Sequence, residues 1–200
     1  MARTKRAAFS QREYWGKPVP GFGDHLARLV IVGLAPAAHG ADRTSRMVTV
    51  DIPNGASVFL MKALYKYGFA GQSTSLHKKD GLKLSGCFLT AVVRCAPPKN
   101  RPRPDEFANC RTYVMREFRL LKNLRAILVL GRQALRSTRE ALLELELETR
   151  LEFSYGARYR LRRNLTLFCS YHPSRQKTQT GRLTEESFDT VIQDVTSALS

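Results

Sequence analysis

Short continuous apolar runs recur along this chain. Residues 26–33 read LARLVIVG, bounded by Gly and Pro, and comparable runs cover 87–93, 126–130 and 165–170. A run of this length between turn residues is typical of a strand that is buried on both faces of a parallel sheet. The pattern therefore predicts a core of about four strands.

Between and after these runs, apolar residues recur at the spacing of one helical face. A first helix is predicted over 56–67, and a second begins at Asp105 with acids in its first turn. A third follows Gly131 and ends near Leu145, and Thr184 caps the last one. The apolar face of the first helix comprises Val58, Leu60, Met61, Leu64 and Tyr65, and that of the second comprises Phe107, Val114, Phe118 and Leu121. Strands alternating with helices predict a three-layer α/β/α domain with a central, mainly parallel sheet.

Two segments lack this regularity. Residues 1–25 are polar and rich in Gly and Pro, which predicts an extended N-terminal arm that wraps the domain. Residues 26–200 are long enough to form one domain around a single core. Within that domain, residues 151–163 predict either a short hairpin or an irregular excursion.

Three segments that follow predicted strands are rich in Pro, Gly, His, Asn and Arg. They cover residues 34–51, 94–104 and 171–182. In open α/β sheets, ligands bind in the loops beyond the carboxyl ends of the strands. We therefore expect these three loops to converge on one functional site.

Composition excludes several classes of protein. Hydrophobic residues make up 43% and charged residues 25% of the 200, as in ordinary soluble globular proteins. No apolar run approaches the roughly 20 residues that a membrane span requires. The basic start MARTKR lacks the apolar stretch of a signal peptide. We expect a cytoplasmic protein with reduced cysteines and no membrane partner.

The charge balance points to a polyanionic partner. The net charge is +16, and a sequence pI near 10.2 is typical of proteins that bind nucleic acid. Residues 156–184 contain seven basic residues and no acidic one. Acids gather instead at Glu140, Glu144, Glu146, Glu148 and Glu152. This separation predicts one side that faces DNA and one solvated side.

Four ordered segments carry a resemblance to a known family. They are YWGKPVPGFGD at 14–24, GLAPAAHGADRT at 33–44, VRCAPPKN at 93–100 and SYHPSRQKTQTGRLT at 170–184. Together they resemble the family 5 uracil-DNA glycosylases, from about residue 13 to the end. The resemblance implies a DNA repair enzyme of base excision repair. Such an enzyme flips uracil, or another deaminated base such as hypoxanthine, out of DNA and hydrolyses its N-glycosidic bond to leave an abasic site.

The resemblance implies two catalytic residues. In the superfamily the His of the His-Pro-Ser motif, here His172, lies beside uracil O2, where negative charge accumulates as the bond breaks. Asp42 is the candidate for orienting water or stabilising the positively charged sugar, because the usual polar residue of the first motif is replaced by Ala37. The alternatives are a structural histidine and an aspartate that caps a turn, and His39 either assists or fixes the loop.

The implied base pocket is built from the first loop, the stretch after it and the end of the second strand. Its candidates are Gly33, Leu34, Ala35, Pro36, Ala37, Val48, Thr90 and Ala91. Val48 stands where the family usually has Phe, and Val50 where it has Gly, so the chain departs from the family pattern here. The following residues 52–55 are longer than the family form. Thr90 and Ala91 also fit a plain sheet interior.

The third loop suits insertion into a DNA groove. Ser174, Arg175 and Gln176 would press in as the base leaves, while Lys177, Thr178 and Arg182 would bind phosphates, and Arg43 in the first loop joins the DNA-binding set. Phosphate contacts fix position without reading sequence, which suits an enzyme that searches for lesions. The alternative is a solvated basic loop.

Cysteine usage agrees with the family only in part. Family 5 members are expected to hold a structural 4Fe-4S cluster with four thiolates, two of which match Cys95 and Cys110. The other two come from a Cys-x-x-Cys near the N-terminus, and residues 1–25 contain no cysteine. Either the sequence starts after that pair, or the lineage lost the cluster and keeps two relict thiols. Cys87 and Cys169 fall within predicted strands and fit small core residues.

The leading prediction is a monomeric, monofunctional glycosylase that needs no cofactor for its chemistry. No lysine is placed by the motifs to form a Schiff base, so strand cleavage is not expected. One rival is a catalytically silent member of the same fold that binds damaged or abasic DNA. A second rival is an RNA-binding or nucleotide-handling α/β protein, which the absence of a Gly-rich phosphate cradle disfavours.

Overall fold

The computed structural model describes residues 7, 10, 11, 13–50, 55–147, 150–162 and 164–199. The strands are β1 (Phe22–Gly23), β2 (Leu29–Gly33), β3 (Cys87–Ala91), β4 (Ala126–Leu130), β5 (Arg158–Arg162) and β6 (Leu165–Ser170). The helices are α1 (Ala41–Thr44), α2 (Ala56–Lys66), α3 (Pro104–Leu120), α4 (Arg132–Glu144), α5 (Arg175–Gln179) and α6 (Glu185–Leu199), with a 3-10 turn at Pro98–Asn100. The predicted strands and long helices are confirmed, with ends shifted by a few residues.

These strands form one sheet in the order β1-β3-β2-β4-β6-β5. The four central strands, β3, β2, β4 and β6, are parallel, which confirms the predicted core. The sheet described here has six strands rather than about four, because β1 and β5 add antiparallel edges. Within 151–163, residues 158–162 form β5, which pairs antiparallel with β6, so a hairpin contained in 151–163 is not observed among the described residues.

Side chains alternate between the two faces of the central strands, as the pleat requires. On β4, Leu128 points to the face covered by α2 and α6, whereas Ile127 and Val129 point to the face covered by α3 and α4. All three side chains are fully buried. The predicted three-layer α/β/α architecture is therefore confirmed.

The buried face of α2 differs slightly from its prediction. Ser57, Leu60, Met61 and Leu64 are buried, whereas Tyr65 is 53% exposed. The buried residues follow i, i+3, i+4 and i+7 spacing, and Tyr65 lies one position further around the helix, beyond that stripe.

The last helix begins as its sequence predicts. The backbone N–H of Ser187 donates to Thr184 Oγ1 at 3.1 Å, and the N–H of Thr184 donates to Ser187 Oγ at 3.0 Å. This reciprocal pair satisfies N–H groups that have no partner inside the helix. The cap fixes where the third loop ends and α6 starts.

The described part of the N-terminal segment packs against the domain. Val19 is fully buried, and its N–H donates to the carbonyl of Arg94 at 2.7 Å. Gly23 has a φ of +148°, and a methyl group on it would lie 2.4 Å from the carbonyl oxygen of Cys87, so only glycine fits this approach of β1 to β3. The division of the chain at residue 25 remains a prediction.

Candidate functional site

The three predicted loops start from one edge of the sheet, because the carboxyl ends of parallel strands lie together. The first two loops run side by side, since the N–H of Val92 donates to the carbonyl of Gly33 and the N–H of Val93 to that of Leu34. The third loop leaves β6 beside Gly131, whose N–H donates to the carbonyl of Ser170 at 2.8 Å. The structure thus brings these loops together at what we call the carboxyl edge.

A fourth strand end belongs to this edge, and sequence reasoning missed it. Gly131 has a φ of +100°, and a methyl group added to it would lie 3.7 Å from Cβ of His172. Arg132 follows at once, exposed, with its guanidinium 5.6 Å from the Phe153 ring centre. The connection from β4 to α4 is too short for its composition to mark it as a functional loop. Its position directly after a buried parallel strand is the feature that could have identified it.

His172 lies at the carboxyl edge with its side chain exposed. Although the ring reaches solvent, enough protein surrounds it for desolvation to lower the pKa of the imidazole below its ordinary value. A lowered pKa keeps the ring neutral at pH 7. The backbone here is fixed by the hydrogen bond from the N–H of Ser174 to the carbonyl of His172, at 2.7 Å, and Pro173 between them is buried.

Asp42 lies in the first turn of α1 and is only 4% exposed. Burial raises the pKa of its carboxyl group, because the charged form loses solvation, and the nearby positive charge of His39 acts in the opposite direction. The N–H of Asp42 donates to the carbonyl of Ala37 at 3.1 Å. Gly40 is the N-cap of α1, so Asp42 does not occupy the capping position. A buried carboxyl with a raised pKa is typical of functional sites.

The N-terminal segment holds the first loop in place. Tyr14 is buried, and its hydroxyl is hydrogen-bonded to Nδ1 of His39 at 2.7 Å. The N–H of Trp15 donates to the carbonyl of Arg43. These contacts give His39 the loop-fixing role that was one of its two predicted alternatives.

Arg43 is engaged inside the loop. Its Nε donates to the carbonyl of His39 at 2.8 Å, and its guanidinium also reaches the carbonyl of Val50 at 3.5 Å. The side chain therefore joins the two ends of the loop. Its predicted contact with DNA stays a prediction, and the geometry favours a role in holding the loop.

The predicted base-pocket residues lie along the start of the first loop and the adjoining end of β3. Pro36 and Ala91 are buried, and the remaining positions from 33 to 37 are half-buried. Thr90 is also buried, but its hydroxyl donates to Glu117 Oε2 at 2.6 Å and is thus committed to α3. We therefore expect Thr90 to contribute through its backbone rather than its side chain.

Val48 is half-buried and has a φ of +60°. This left-handed conformation is strained for a β-branched residue and costs on the order of 1–3 kcal/mol. Strain of this kind persists only where the surroundings hold the backbone. Of residues 52–55, predicted to be longer than the family form, 52–54 lie outside the described part of the chain, and Gly55 is the N-cap of α2.

A buried ion pair holds the stretch around Val48. Arg46 is 4% exposed, and its guanidinium binds both carboxylate oxygens of Asp80 at 2.7 Å and Ser75 Oγ at 2.8 Å. The N–H of Val50 donates to the carbonyl of Ser75. Partners 34 residues apart carry no local sequence signal, so sequence reasoning missed this pair.

A second buried ion pair supports the end of β3. Arg94 is 1% exposed and binds Glu117 Oε2 at 2.6 Å, the same oxygen that accepts the Thr90 hydroxyl. Arg94 also contacts the carbonyl of Val19. The pair thus connects the N-terminal segment, the second loop and α3.

The third loop contains a short helix, α5, where no helix was predicted. Ser174 occupies the N-cap position, and Arg175 and Gln176 follow it, exposed. Ser is a favoured N-cap residue, and the buried Pro173 before it fixes the entry of the chain. The residues predicted to insert into DNA therefore lie at the start of a helical turn.

The other residues of this loop predicted to contact DNA differ in the contacts that their side chains make within the protein. The Lys177 ammonium lies 4.9 Å from the Tyr171 ring centre, and Thr178 Oγ1 donates to the carbonyl of Ser174. Tyr171 in turn stacks on Tyr155, with ring centres 5.0 Å apart. Arg182 is exposed at the end of the loop. These side chains place positive charge around His172.

The cysteines divide into a core pair and a surface pair. Cys87 and Cys169 have no exposed surface, and burial raises the pKa of the Cys169 thiol to about 12, so both fit the predicted core role. Cys95 is exposed and Cys110 half-buried; burial raises the pKa of the Cys95 thiol, and the charge of Cys110 adds to this effect.

The described residues do not fit a four-thiolate cluster. Cys95 and Cys110 are the two cysteines with exposed surface, whereas the core thiols Cys87 and Cys169 are enclosed in strands. Over the described part of the chain, no group of three or more His, Cys, Asp or Glu side chains could hold a metal ion. The residues present supply half of the expected ligand set.

The described basic residues of 156–184 lie at both ends of the parallel strands. Arg175, Lys177 and Arg182 lie at the carboxyl edge, whereas Arg160 pairs with Thr166, near the amino end of β6. Which of them face DNA stays a prediction. Among the described helices, none combines the length and apolarity of a membrane span.

Comparisons with known proteins identify the family of the chain. The family described as the Uracil DNA glycosylase superfamily matches residues 20–196. The chain is 45% identical over 192 residues to the type-5 uracil-DNA glycosylase of Thermus thermophilus, covering 95% of this chain and 84% of the relative. It is 40% identical to the type-5 enzyme of Mycobacterium leprae, covering 97% and 83% respectively.

A third relative gives a similar match. The type-5 uracil-DNA glycosylase of Pyrobaculum aerophilum is 39% identical over 179 residues, covering 90% of this chain and 75% of the relative. The family match spans the loops that carry His172, Asp42 and the base-pocket residues. The chain therefore belongs to the uracil-DNA glycosylase superfamily and, within it, to the type-5 uracil-DNA glycosylases.

Proposed function

We propose that this chain excises uracil from DNA by hydrolysing the N-glycosidic bond, leaving an abasic site for base excision repair. The observation that carries the proposal is that the loops bearing His172 and the buried Asp42 leave the same edge of the sheet. His172 has a lowered pKa and Asp42 a raised one. Relatives named type-5 uracil-DNA glycosylases support the same activity.

His172 stabilises the departing base. As the bond to C1′ breaks, negative charge accumulates on uracil O2, and a neutral imidazole donates its N–H to that oxygen. A lowered pKa suits this role, because the donor stays uncharged and needs no proton exchange with solvent at pH 7. A donor aimed at developing charge in a site of this kind is worth about 100- to 1,000-fold in rate.

Asp42 acts on the other side of the breaking bond. Its carboxylate orients the attacking water or stabilises the positive charge that develops on the sugar. Burial strengthens this interaction, because less solvent screens a charge that is 4% exposed. Ala37, whose carbonyl accepts the N–H of Asp42, has no polar side chain for water activation, so the acid supplies that function.

The extruded base lies between the start of the first loop and the stretch around Val48. Because Val is smaller than the Phe usual at this position, the pocket is wider here. That difference favours acceptance of hypoxanthine, a larger deaminated base, alongside uracil. The two buried ion pairs, Arg46–Asp80 and Arg94–Glu117, hold the walls of this pocket.

The helical turn after Ser174 contacts the DNA from which the base leaves. Arg175 and Gln176 are exposed in the first turn of α5 and enter the groove, while Lys177, Thr178 and Arg182 meet phosphates. The chain acts as a cytoplasmic monomer in this proposal. The chemistry needs no cofactor, and no step depends on a cluster at Cys95 and Cys110.

The test is base release from oligonucleotides that carry uracil or hypoxanthine, single-stranded and paired. We expect abasic sites in both, which alkali then cleaves, and intact strands without alkali. Binding to these oligonucleotides without base release would instead support a catalytically silent protein and would overturn the proposal.

A further inference from the structure

A second cluster of arginines lies far from the carboxyl edge, around a cavity of about 280 Å³. Its lining residues are Arg125, Arg158, Arg160, Asn164, Thr166 and Ala198. No acidic side chain is among these described lining residues, and the polar ones all carry donors. We call this cavity the arginine pocket.

The fold explains why these arginines face one another. Arg158 and Arg160 are two positions apart on β5 and therefore point to the same face of the sheet. Arg160 pairs with Thr166 on β6, and the N–H of Thr166 donates to the carbonyl of Arg125. The pocket thus lies at the amino ends of β4 and β6, beside the end of α6.

The distance from the reaction centre follows from strand geometry. Arg125 precedes β4 and Gly131 follows it, beside His172. At roughly 3.3 Å per residue, the pocket is about 20 Å from the carboxyl edge. The arginine pocket is therefore a surface separate from the one at which a base would meet His172.

We propose that the arginine pocket binds backbone phosphates of a second DNA segment while a first segment lies at the active centre. This inference rests on the proposed function only in taking DNA as the partner at the carboxyl edge. Guanidinium groups bind phosphate oxygens in a bidentate manner, and a cavity of about 280 Å³ has room for a phosphate and its sugar. A net charge of +16 supplies the attraction for two polyanions.

The contacts of the individual arginines fix which ones carry the site. Arg160 already has a partner of its own, so the phosphate is assigned to Arg125 and Arg158. Arg125 is exposed, and Arg158 is exposed with its guanidinium held 5.8 Å from the Phe168 ring centre. A guanidinium that is held over a ring loses less freedom on binding.

A purely structural role makes a different prediction. The carbonyl end of α6 lies near Ala198, and cations stabilise the carbonyl end of a helix. If the arginines served only this purpose, their removal would lower the melting temperature without changing how DNA is exchanged.

The test compares DNA exchange in three proteins. The chain is bound to a short labelled duplex with a non-cleavable abasic analogue, and dissociation is measured while unlabelled, undamaged duplex is added. The variant is Arg125→Ala/Arg158→Ala. The matched control is Arg116→Ala/Arg139→Ala, which removes the same charge from exposed positions of α3 and α4.

In the parent and the control, dissociation should accelerate with competitor concentration, because the competitor occupies the second site before the first duplex leaves. In the pocket variant, dissociation should be independent of competitor. The salt slope of second-duplex binding should fall by about 2, since each phosphate contact contributes about 0.9. Competitor-independent dissociation in the parent, or unchanged acceleration in the pocket variant, would overturn the proposal.

The exchange assay does not depend on base release. Excision of uracil from a short duplex should proceed at the parent rate in the pocket variant. If none of the three proteins excised uracil, the proposed function would be contradicted. The exchange assay would then decide on its own whether the second DNA site exists.

Discussion

The two ends of the parallel strands are both basic but are built differently: one is the carboxyl edge, and the other is the amino edge around the arginine pocket. At the carboxyl edge, two buried ion pairs and a strained Val48 hold long loops around His172 and Asp42. At the amino edge, exposed arginines line an open cavity, with the Arg158 guanidinium over the Phe168 ring. Chemistry requires groups fixed in position, whereas phosphate binding requires only charge within reach. The difference indicates that positive charge points to DNA as the partner, whereas rigidly held side chains mark the place where the reaction occurs.

The largest effect is expected at His172, and an active protein without this side chain would contradict the contrast between the two edges. His172→Ala should lower the single-turnover rate of uracil release by about 100- to 1,000-fold, because the leaving base loses its donor. Affinity for DNA that carries an abasic analogue should stay near that of the parent. The matched control is His25→Ala, an exposed histidine that precedes β2 and so lies toward the opposite edge, which should retain the parent rate. Equal rates in the two variants would remove His172 from the mechanism.

Asp42→Asn should lower the same rate by about 100-fold, at the lower end of what acid–base groups contribute. It should also raise the melting temperature at pH 7, because the buried charge is removed. The raised pKa means that the folded protein binds the proton more tightly than the unfolded chain, so the parent loses stability as pH rises from 3.8 through the raised value.

The melting-temperature gap between Asp42→Asn and the parent should therefore close below pH 3.8, where the carboxyl is protonated in both states. A gap that is constant with pH would show that the substitution acts through packing. An unchanged rate of uracil release would place the carboxylate outside the reaction.

Val48→Phe tests whether the width of the pocket selects the base. Restoring the bulk usual at this position should reduce hypoxanthine release relative to uracil release by about tenfold, within the range expected when a pocket discriminates by size alone. Rates on both oligonucleotides under identical conditions measure the ratio. An unchanged ratio would mean that residue 48 does not contact the base.

The smallest effect is expected at the DNA contacts of α5. Arg175→Ala should weaken DNA binding a few-fold and reduce the salt slope of binding by about 0.9, with the single-turnover rate at saturation preserved. Arg139→Ala removes an exposed arginine on α4 and should leave the slope unchanged. Equal slopes in both variants would count against a phosphate contact at Arg175.

Sequence patterns were sufficient for the core because burial and periodicity are local properties. β4 begins at Ala126 and ends at Leu130, as its apolar run predicts, and the three loops meet because parallel strands end at one edge. His172 and Asp42 were identified through the family resemblance rather than by periodicity.

What the sequence did not reveal depends on contacts between distant residues. The Arg46–Asp80 pair and the left-handed φ of Val48 arise only when separate loops pack together. The outermost strands β1 and β5 carry few apolar residues, so the hydrophobic pattern did not distinguish them from loops. The basic residues of 156–184 formed one group in the sequence, because a charge count does not show at which end of the sheet each residue lies.

The central claim is that a neutral His172 and an ionised Asp42 act together at the carboxyl edge. The most direct test is the single-turnover rate of uracil release as a function of pH, in the parent and in Asp42→Asn. We expect the parent rate to rise as pH increases through the raised pKa of Asp42 and then to stay level through pH 6.5 and above. The rise should be absent in Asp42→Asn. A rate that falls as pH increases through 6.5 would show that a cationic histidine is required and would contradict the account.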